Sequence, residues 1–236
     1  MASWADWNPL ELFAPKLCLV CGQAGEALCA QCRRALEPIA AGCRRCGYPG
    51  IQNKSGSPQS GGCFWCKPLR GLPSAADMKS QFVYRNAGKA LFQQAKFQTY
   101  FRAIDGLLDP PDALVAWIKA GGFQVVCPIP ERFERMWRRP FNPAERIARI
   151  LCRGAELPLV HWLRCRGQRS QVGLARKGRR SNPRFICTVS AEQLAGKKVL
   201  LVDDVLTTGS TLSAASRALR MAGCAQIGWF TLFRAL

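Results

Sequence analysis

The stretch Val199-Leu200-Leu201-Val202-Asp203-Asp204-Val205-Leu206-Thr207-Thr208-Gly209-Ser210-Thr211 constrains the fold of this chain more than any other. Residues 199–202 form a short, apolar, β-prone run that stops at two acidic residues, as a central parallel strand buried on both faces does. A small loop rich in hydroxyls follows, and then a helix is predicted with Leu212, Ala215, Leu219 and Ala222 at helical spacing. Each part has a chemical use. The loop Thr207, Thr208, Gly209, Ser210, Thr211 offers hydroxyls and backbone N–H groups at a helix start, where an anion is favoured. Asp203 and Asp204, following Val202 at the carboxyl end of the strand, are acceptors for vicinal hydroxyls. A sugar phosphate fits the arrangement, hydroxyls on the aspartates and phosphate in the loop. A lone Thr-Gly-Ser before a helix is only a cap; the whole stretch is far more specific.

At 236 residues the chain holds one ordinary domain and a small one. Hydrophobic content of 48% and charged content of 21% exclude a disordered chain. No apolar run is long enough for a membrane span and no secretory segment is evident at the start, so a cytoplasmic protein is expected. The net charge of +19 predicts polyanionic partners. It gathers in Arg132, Arg135, Arg138, Arg139, Arg146, Arg149 and Arg153, and again in Arg164, Arg166, Arg169, Arg176, Lys177, Arg179, Arg180 and Arg184. Arginine is the better bidentate phosphate partner, which favours phosphate contact over a merely solvated face.

Thirteen cysteines in a chain of this kind point to metal before disulfide. Four CxxC pairs precede residue 70: Cys18/Cys21, Cys29/Cys32, Cys43/Cys46 and Cys63/Cys66. A CxxC turn aims two thiolates at one tetrahedral ion, so four pairs make two zinc sites of four thiolates each. Sequential pairing assigns Cys18, Cys21, Cys29 and Cys32 to one zinc and Cys43, Cys46, Cys63 and Cys66 to the other; an interleaved pairing is the alternative. The remaining cysteines, Cys127, Cys152, Cys165, Cys187 and Cys224, lack such spacing and are expected to be ordinary core or surface residues.

Two domains are therefore expected, a cysteine domain over 16–70 and an α/β domain over 77–236. In the second, strands are predicted over 78–85, 123–127, 159–163, 198–202 and 227–233. Helices are predicted over 87–97, 101–108, 113–120, 143–154 and 211–222, with Gly223 capping the last. Residues 164–184 read as a basic loop or lid. Alternating strands and helices argue a parallel sheet flanked by helices.

The 199–211 stretch closely resembles the 5-phosphoribosyl-1-pyrophosphate (PRPP) signature of type I phosphoribosyltransferases. Joined to a double zinc ribbon, it resembles the ComF family over nearly the whole chain. The shared marks are the four CxxC pairs, Lys96-Phe97, Pro128-Ile129-Pro130, Arg138-Arg139-Pro140-Phe141-Asn142, Gln171 with Leu174, and Arg179 with Asn182. The resemblance implies a type I phosphoribosyltransferase fold binding PRPP with magnesium. Ribose hydroxyls would lie on Asp203 and Asp204, the catalytic-site pair, and pyrophosphate by Pro128, Ile129 and Pro130. It also implies a role in natural competence, with single-stranded DNA and competence-machinery proteins as partners. The family usually reads Arg-Gly-Phe-Asn-Gln where this chain has Arg139-Pro140-Phe141-Asn142-Pro143. Proline removes an N–H and fixes φ, so an altered pyrophosphate loop is expected. That departure keeps two alternatives beside a pentosyl-transferring enzyme: a nucleic-acid-binding module using Trp137, Phe141 and Trp162 to stack on bases, although core packing is the favoured reading of Trp162, and a non-catalytic PRPP or nucleotide sensor.

Overall fold

The computed structural model describes residues 17–39, 48–49, 78–98, 105, 107–108, 112–131, 142–165 and 185–235. Expectations for Cys43, Cys46, Cys63 and Cys66, for the arginines over 132–139 and for the basic segment 166–184 lie outside these residues.

Among the described residues, β1 (Met78–Val83), β2 (Val125–Pro128), β5 (Lys198–Leu206) and β6 (Gln226–Arg234) form one wholly parallel sheet in the order β1-β6-β5-β2. Helices α1 (Ala30–Arg34), α2 (Asn86–Gln98), α3 (Asp112–Ala120), α4 (Pro143–Ala155), α5 (Ala191–Leu194) and α6 (Ser210–Met221) punctuate the strands. A separate antiparallel pair joins β3 (Leu163–Cys165) to β4 (Phe185–Cys187).

The central strand is apolar on both faces because helices cover both. Leu200 and Val202 belong to a cluster with Leu114 and Ile118 of α3 and Ile147, Ala148 and Leu151 of α4. Val199 and Leu201 belong to another with Leu212, Ala215 and Leu219 of α6 and Leu163 of β3. Each such valine, leucine or isoleucine side chain, fully buried, contributes about 1.5–3 kcal/mol. Two pairs of polar groups caught in this core match each other: Ser80 and Thr231 share a hydrogen bond of 2.7 Å between β1 and β6, and Trp229 Nε1 donates to Ser216 Oγ at 2.8 Å.

Three local differences from the sequence expectation have physical reasons. The signature strand continues past Val202 to Leu206. Asp203 and Asp204 are only half buried there. Asp203 Oδ1 accepts the Asp204 N–H at 2.9 Å and Asp204 Oδ1 accepts the Val205 N–H at 2.6 Å. The strand expected over 159–163 is instead a single bridge, Leu159 beside Val126, after which the chain turns and enters β3 at Leu163. Arg164 and Cys165, expected in the basic loop, are thus strand residues paired with Ile186 and Phe185.

The cysteine segment is tied to the sheet. Pro38 makes an antiparallel bridge with Phe82; Val83 N donates to Glu37 O and Ile39 N to Gln81 O, each at 2.9 Å. Arg85 forms an ion pair with Glu37, its Nε 2.8 Å from Oε1. Cys18, Leu28, Cys32 and Leu36 belong to the same apolar cluster as Leu91, Phe92 and Phe233.

Candidate functional site

The carboxyl ends of the parallel strands bring the predicted ligand residues together, as open α/β sheets do. Pro128 at the end of β2 pairs with Val202 of β5, and Ile129 N donates to Val202 O at 2.8 Å. The Pro128-Ile129-Pro130 segment therefore lies directly beside Asp203 and Asp204. Asn142 fixes it from the other side. Its Nδ2 donates to Ile129 O at 2.7 Å, while its Oδ1 accepts the Ala144 N–H at 3.0 Å as the N-cap of α4. Pro143 occupies the first turn of that helix, where proline is tolerated because the missing N–H has no intrahelical partner. Pro140 lies outside the described residues. The Cys165 thiol reaches Pro130 O at 3.4 Å.

Beyond β5 the chain makes the hydroxyl loop. Thr207 and Thr208 are exposed, and Thr208 Oγ1 lies 3.1 Å from Ser210 Oγ. Gly209 is the N-cap of α6 with φ 69° and ψ 5°, and its carbonyl accepts the Ser213 N–H at 2.8 Å. That left-handed conformation is what lets the strand turn straight into the helix, and only glycine adopts it without cost. Gly209→Val is expected to lose about 1–2 kcal/mol from backbone strain alone, lowering the melting temperature by a few degrees, and to turn the loop amides away from any bound phosphate. Thermal denaturation with and without a phosphoribosyl ligand checks both effects; an unchanged melting temperature and ligand shift would contradict them.

Two residues that nothing in the sequence singles out, Tyr84 and Arg234, join the site, together with Asn142, which the sequence marked only as part of the 138–142 stretch. Tyr84 follows β1 and packs edge-on against Phe92 and Phe233. Burial, and after it the Asp204 carboxylate, pushes its phenol above the ordinary range. Arg234 ends β6 beneath the hydroxyl loop, and Asn142 holds the 128–130 segment. His161, the single histidine, is exposed, with Nδ1 3.4 Å from Glu145 Oε2 just ahead of β3. In the first arginine group, Arg146 pairs with Asp105 and Arg149 with Glu145 at 2.7 Å, so these two cations serve the helix surface first.

The first metal set is assembled. The ligand atoms of Cys18, Cys21, Cys29 and Cys32 all lie within 4.8 Å of one another. Cys29 N donates to Cys18 Sγ and Cys32 N to Cys29 Sγ, each at 3.5 Å. Amide donors of this kind orient and stabilise thiolates around an ion. Although burial pushes the Cys18 thiol up, the amides of Cys29, Cys21 and Val20 bring it down to about 6. Burial and the neighbouring Cys21, Cys29 and Cys18 thiols push the Cys32 thiol up. Four sulfurs at this separation, with two of them buried, suit a structural zinc ribbon.

Residues 139–236 match the family described as the phosphoribosyl transferase domain. Its homologues include proteins named for competence. The chain is 36% identical over 116 residues to competence protein F of Haemophilus influenzae, covering 48% of this chain and 51% of that one. It is 27% identical over 171 residues to competence protein ComFC of Bacillus subtilis, covering 72% and 69%. It is 30% identical over 126 residues to DNA utilization protein YhgH of Salmonella typhi, covering 46% and 52%. The chain thus spans about half the length of the first and third of these relatives. Among solved structures, a purine phosphoribosyltransferase from Pyrococcus horikoshii is a loose neighbour, with a TM-score of 0.31 at 20% identity, covering 52% of this chain and 79% of that one. No described helix is long and apolar enough to cross a membrane.

Proposed function

We propose that this chain binds PRPP with magnesium and transfers its phosphoribosyl group, in the cytoplasm, as part of the handling of incoming single-stranded DNA during competence. The observation that carries the reading is the Pro128–Val202 pairing. It sets the 128–130 segment, the Asp203–Asp204 pair and the 207–211 loop at one end of one sheet. The 5′-phosphate takes the loop, the ribose hydroxyls take the two carboxylates, and the pyrophosphate faces Pro128, Ile129 and Pro130. In the reaction an acceptor atom bonds to the anomeric carbon as its bond to the pyrophosphate oxygen breaks, and the electron pair leaves with pyrophosphate. Positive charge grows on the ribose ring in such an oxocarbenium-like transition state. The two fixed carboxylates stabilise that charge and hold the ring in line. Magnesium, a hard cation suited to phosphate and ribose oxygens, neutralises the leaving group when bound. The residues Cys43, Cys46, Cys63 and Cys66 are proposed to hold a second structural zinc. The names of the competence and DNA-utilization relatives support the biological setting.

Ligand-linked stability tests the binding step. PRPP with magnesium at 100 times its dissociation constant should stabilise the protein by about 2.7 kcal/mol, and ribose 5-phosphate by less. No stabilisation by either compound would sink the reading. The DNA partnership has its own check. Affinity for single-stranded DNA should fall steeply as salt rises, and neutralising Arg176, Lys177, Arg179 and Arg180 together should flatten the slope. Binding that is absent even at low salt would remove DNA as a direct partner.

A further inference from the structure

Arg234 is an arginine that the sequence gives no reason to bury, two residues from the end of the chain, and it is only 4% exposed. It closes β6 opposite Leu206, the last residue of β5. Its backbone is fixed on two sides: Tyr84 N donates to Arg234 O at 2.7 Å, and Ala235 N donates to Leu206 O at 2.9 Å. Its Nη1 donates to three backbone carbonyls, Leu206 O at 3.1 Å, Thr207 O at 2.9 Å and Ala235 O at 2.7 Å. Two of these three belong to the turn between the acidic pair and Gly209.

The consequence follows from peptide geometry. All peptide bonds among the described residues are trans. In a trans peptide the C=O and the N–H of one unit point in opposite directions. A Leu206 carbonyl directed at the buried guanidinium turns the Thr207 N–H away from it, and a Thr207 carbonyl so directed turns the Thr208 N–H away. Thr207 and Thr208 are exposed residues, and this orientation leaves both amides on the side of the loop away from Arg234, ahead of the α6 N-terminus. The same side chain puts a permanent positive charge behind the loop in a water-poor setting, where it acts on an anion more strongly than a surface lysine does. Arginine suits the role because its charge is not lost at any physiological pH.

We propose that Arg234 is the positioning residue of the phosphate loop: it fixes the 206–207 and 207–208 peptide planes so that their amides face a bound 5′-phosphate, and it backs them with fixed charge. This rests on the reading that the loop takes a 5′-phosphate. Arg234 touches the loop and not the ligand, so its effect should be confined to the phosphate that the loop holds.

The test compares three probes, PRPP with magnesium, ribose 5-phosphate and inorganic pyrophosphate with magnesium, titrated calorimetrically into the wild type, Arg234→Lys and Arg234→Met. The Met variant should bind ribose 5-phosphate and PRPP about 10- to 100-fold more weakly, the equivalent of one or two charge-assisted hydrogen bonds, with pyrophosphate affinity unchanged. The Lys variant, with its charge and three N–H donors, should recover part of the loss and keeps the test alive if the Met variant does not fold. Hydrogen exchange of the Thr207 and Thr208 amides should quicken in Met and less in Lys. Equal weakening of all three probes, or no weakening in either folded variant, would overturn the positioning role while leaving the phosphoribosyl site intact. Failure of the wild type to bind ribose 5-phosphate and PRPP would overturn the site itself and the proposal with it.

Discussion

Replacing Asp203 and Asp204 together by asparagine is expected to weaken PRPP binding by about 100-fold or more while leaving the fold intact. Each carboxylate that accepts a ribose hydroxyl contributes about 1.5–3 kcal/mol, and every 1.4 kcal/mol is tenfold in affinity. The fold survives because asparagine keeps an Oδ1 in place, and Oδ1 is the atom that accepts the Asp204 and Val205 amides. A spectroscopic signature accompanies the change. The Asp204 carboxylate adds to burial in raising the Tyr84 phenol, so the neutral amide should let Tyr84 ionise at a lower pH than in the wild type. Calorimetry with PRPP and an ultraviolet pH titration check the two effects. Wild-type affinity in the double variant would place the ribose elsewhere.

Stripping the metal from Cys18, Cys21, Cys29 and Cys32 is expected to destabilise the parallel sheet as well as the ribbon. Cys18 and Cys32 are buried in the cluster that contains Phe233 of β6 and Leu91 and Phe92 of α2. The segment just past α1 pairs with β1 and is clamped there by Arg85 and Glu37. Without an ion, four thiols held within 4.8 Å of one another must either stay protonated or repel as thiolates. Structural zinc in such sites stabilises the folded state by around 10 kcal/mol, so its loss should lower the melting temperature of the whole protein in one transition. Metal analysis should find zinc bound at this cluster, and two ions per chain if the second cysteine set also binds. A near-ultraviolet circular dichroism signal and melting temperature that are unaffected by chelation would contradict the coupling.

The elements legible in the sequence were those whose pattern matches their burial. β5 announces itself because both its faces are covered, which requires a continuous apolar run, and α6 because Leu212, Ala215 and Leu219 repeat at helical spacing onto one cluster. α4 is marked by Asn142 and Pro143 at its start, and the Cys18–Cys32 set by its two CxxC turns. What stayed hidden depends on contacts far apart in sequence or on very short elements. β3 and β4 have three residues each, too few to show a period, and each is defined only by the other. The four-residue α5 did carry a signal, Ser190 followed three residues later by Gln193, whose Oε1 accepts the Ser190 N–H at 3.3 Å. The extension of β5 through the acidic pair was masked because acidic residues read as a strand end. Here their carboxylates accept backbone amides of the strand itself. Arg234 was invisible for a related reason: a cation that closes an apolar run reads as surface, and only the pairing of β6 with β5 puts it under the loop. Arg146 and Arg149, counted with the basic surface, turned out to face Asp105 and Glu145.

Calorimetric titration of magnesium and PRPP into the purified wild-type protein tests the central claim most directly. One binding site per chain is predicted, with ribose 5-phosphate competing for it and ribose failing to compete, because the loop at 207–211 reads the phosphate. No heat and no competition at millimolar PRPP, in a zinc-loaded protein that melts cooperatively, would contradict the assignment of this sheet end as a phosphoribosyl site.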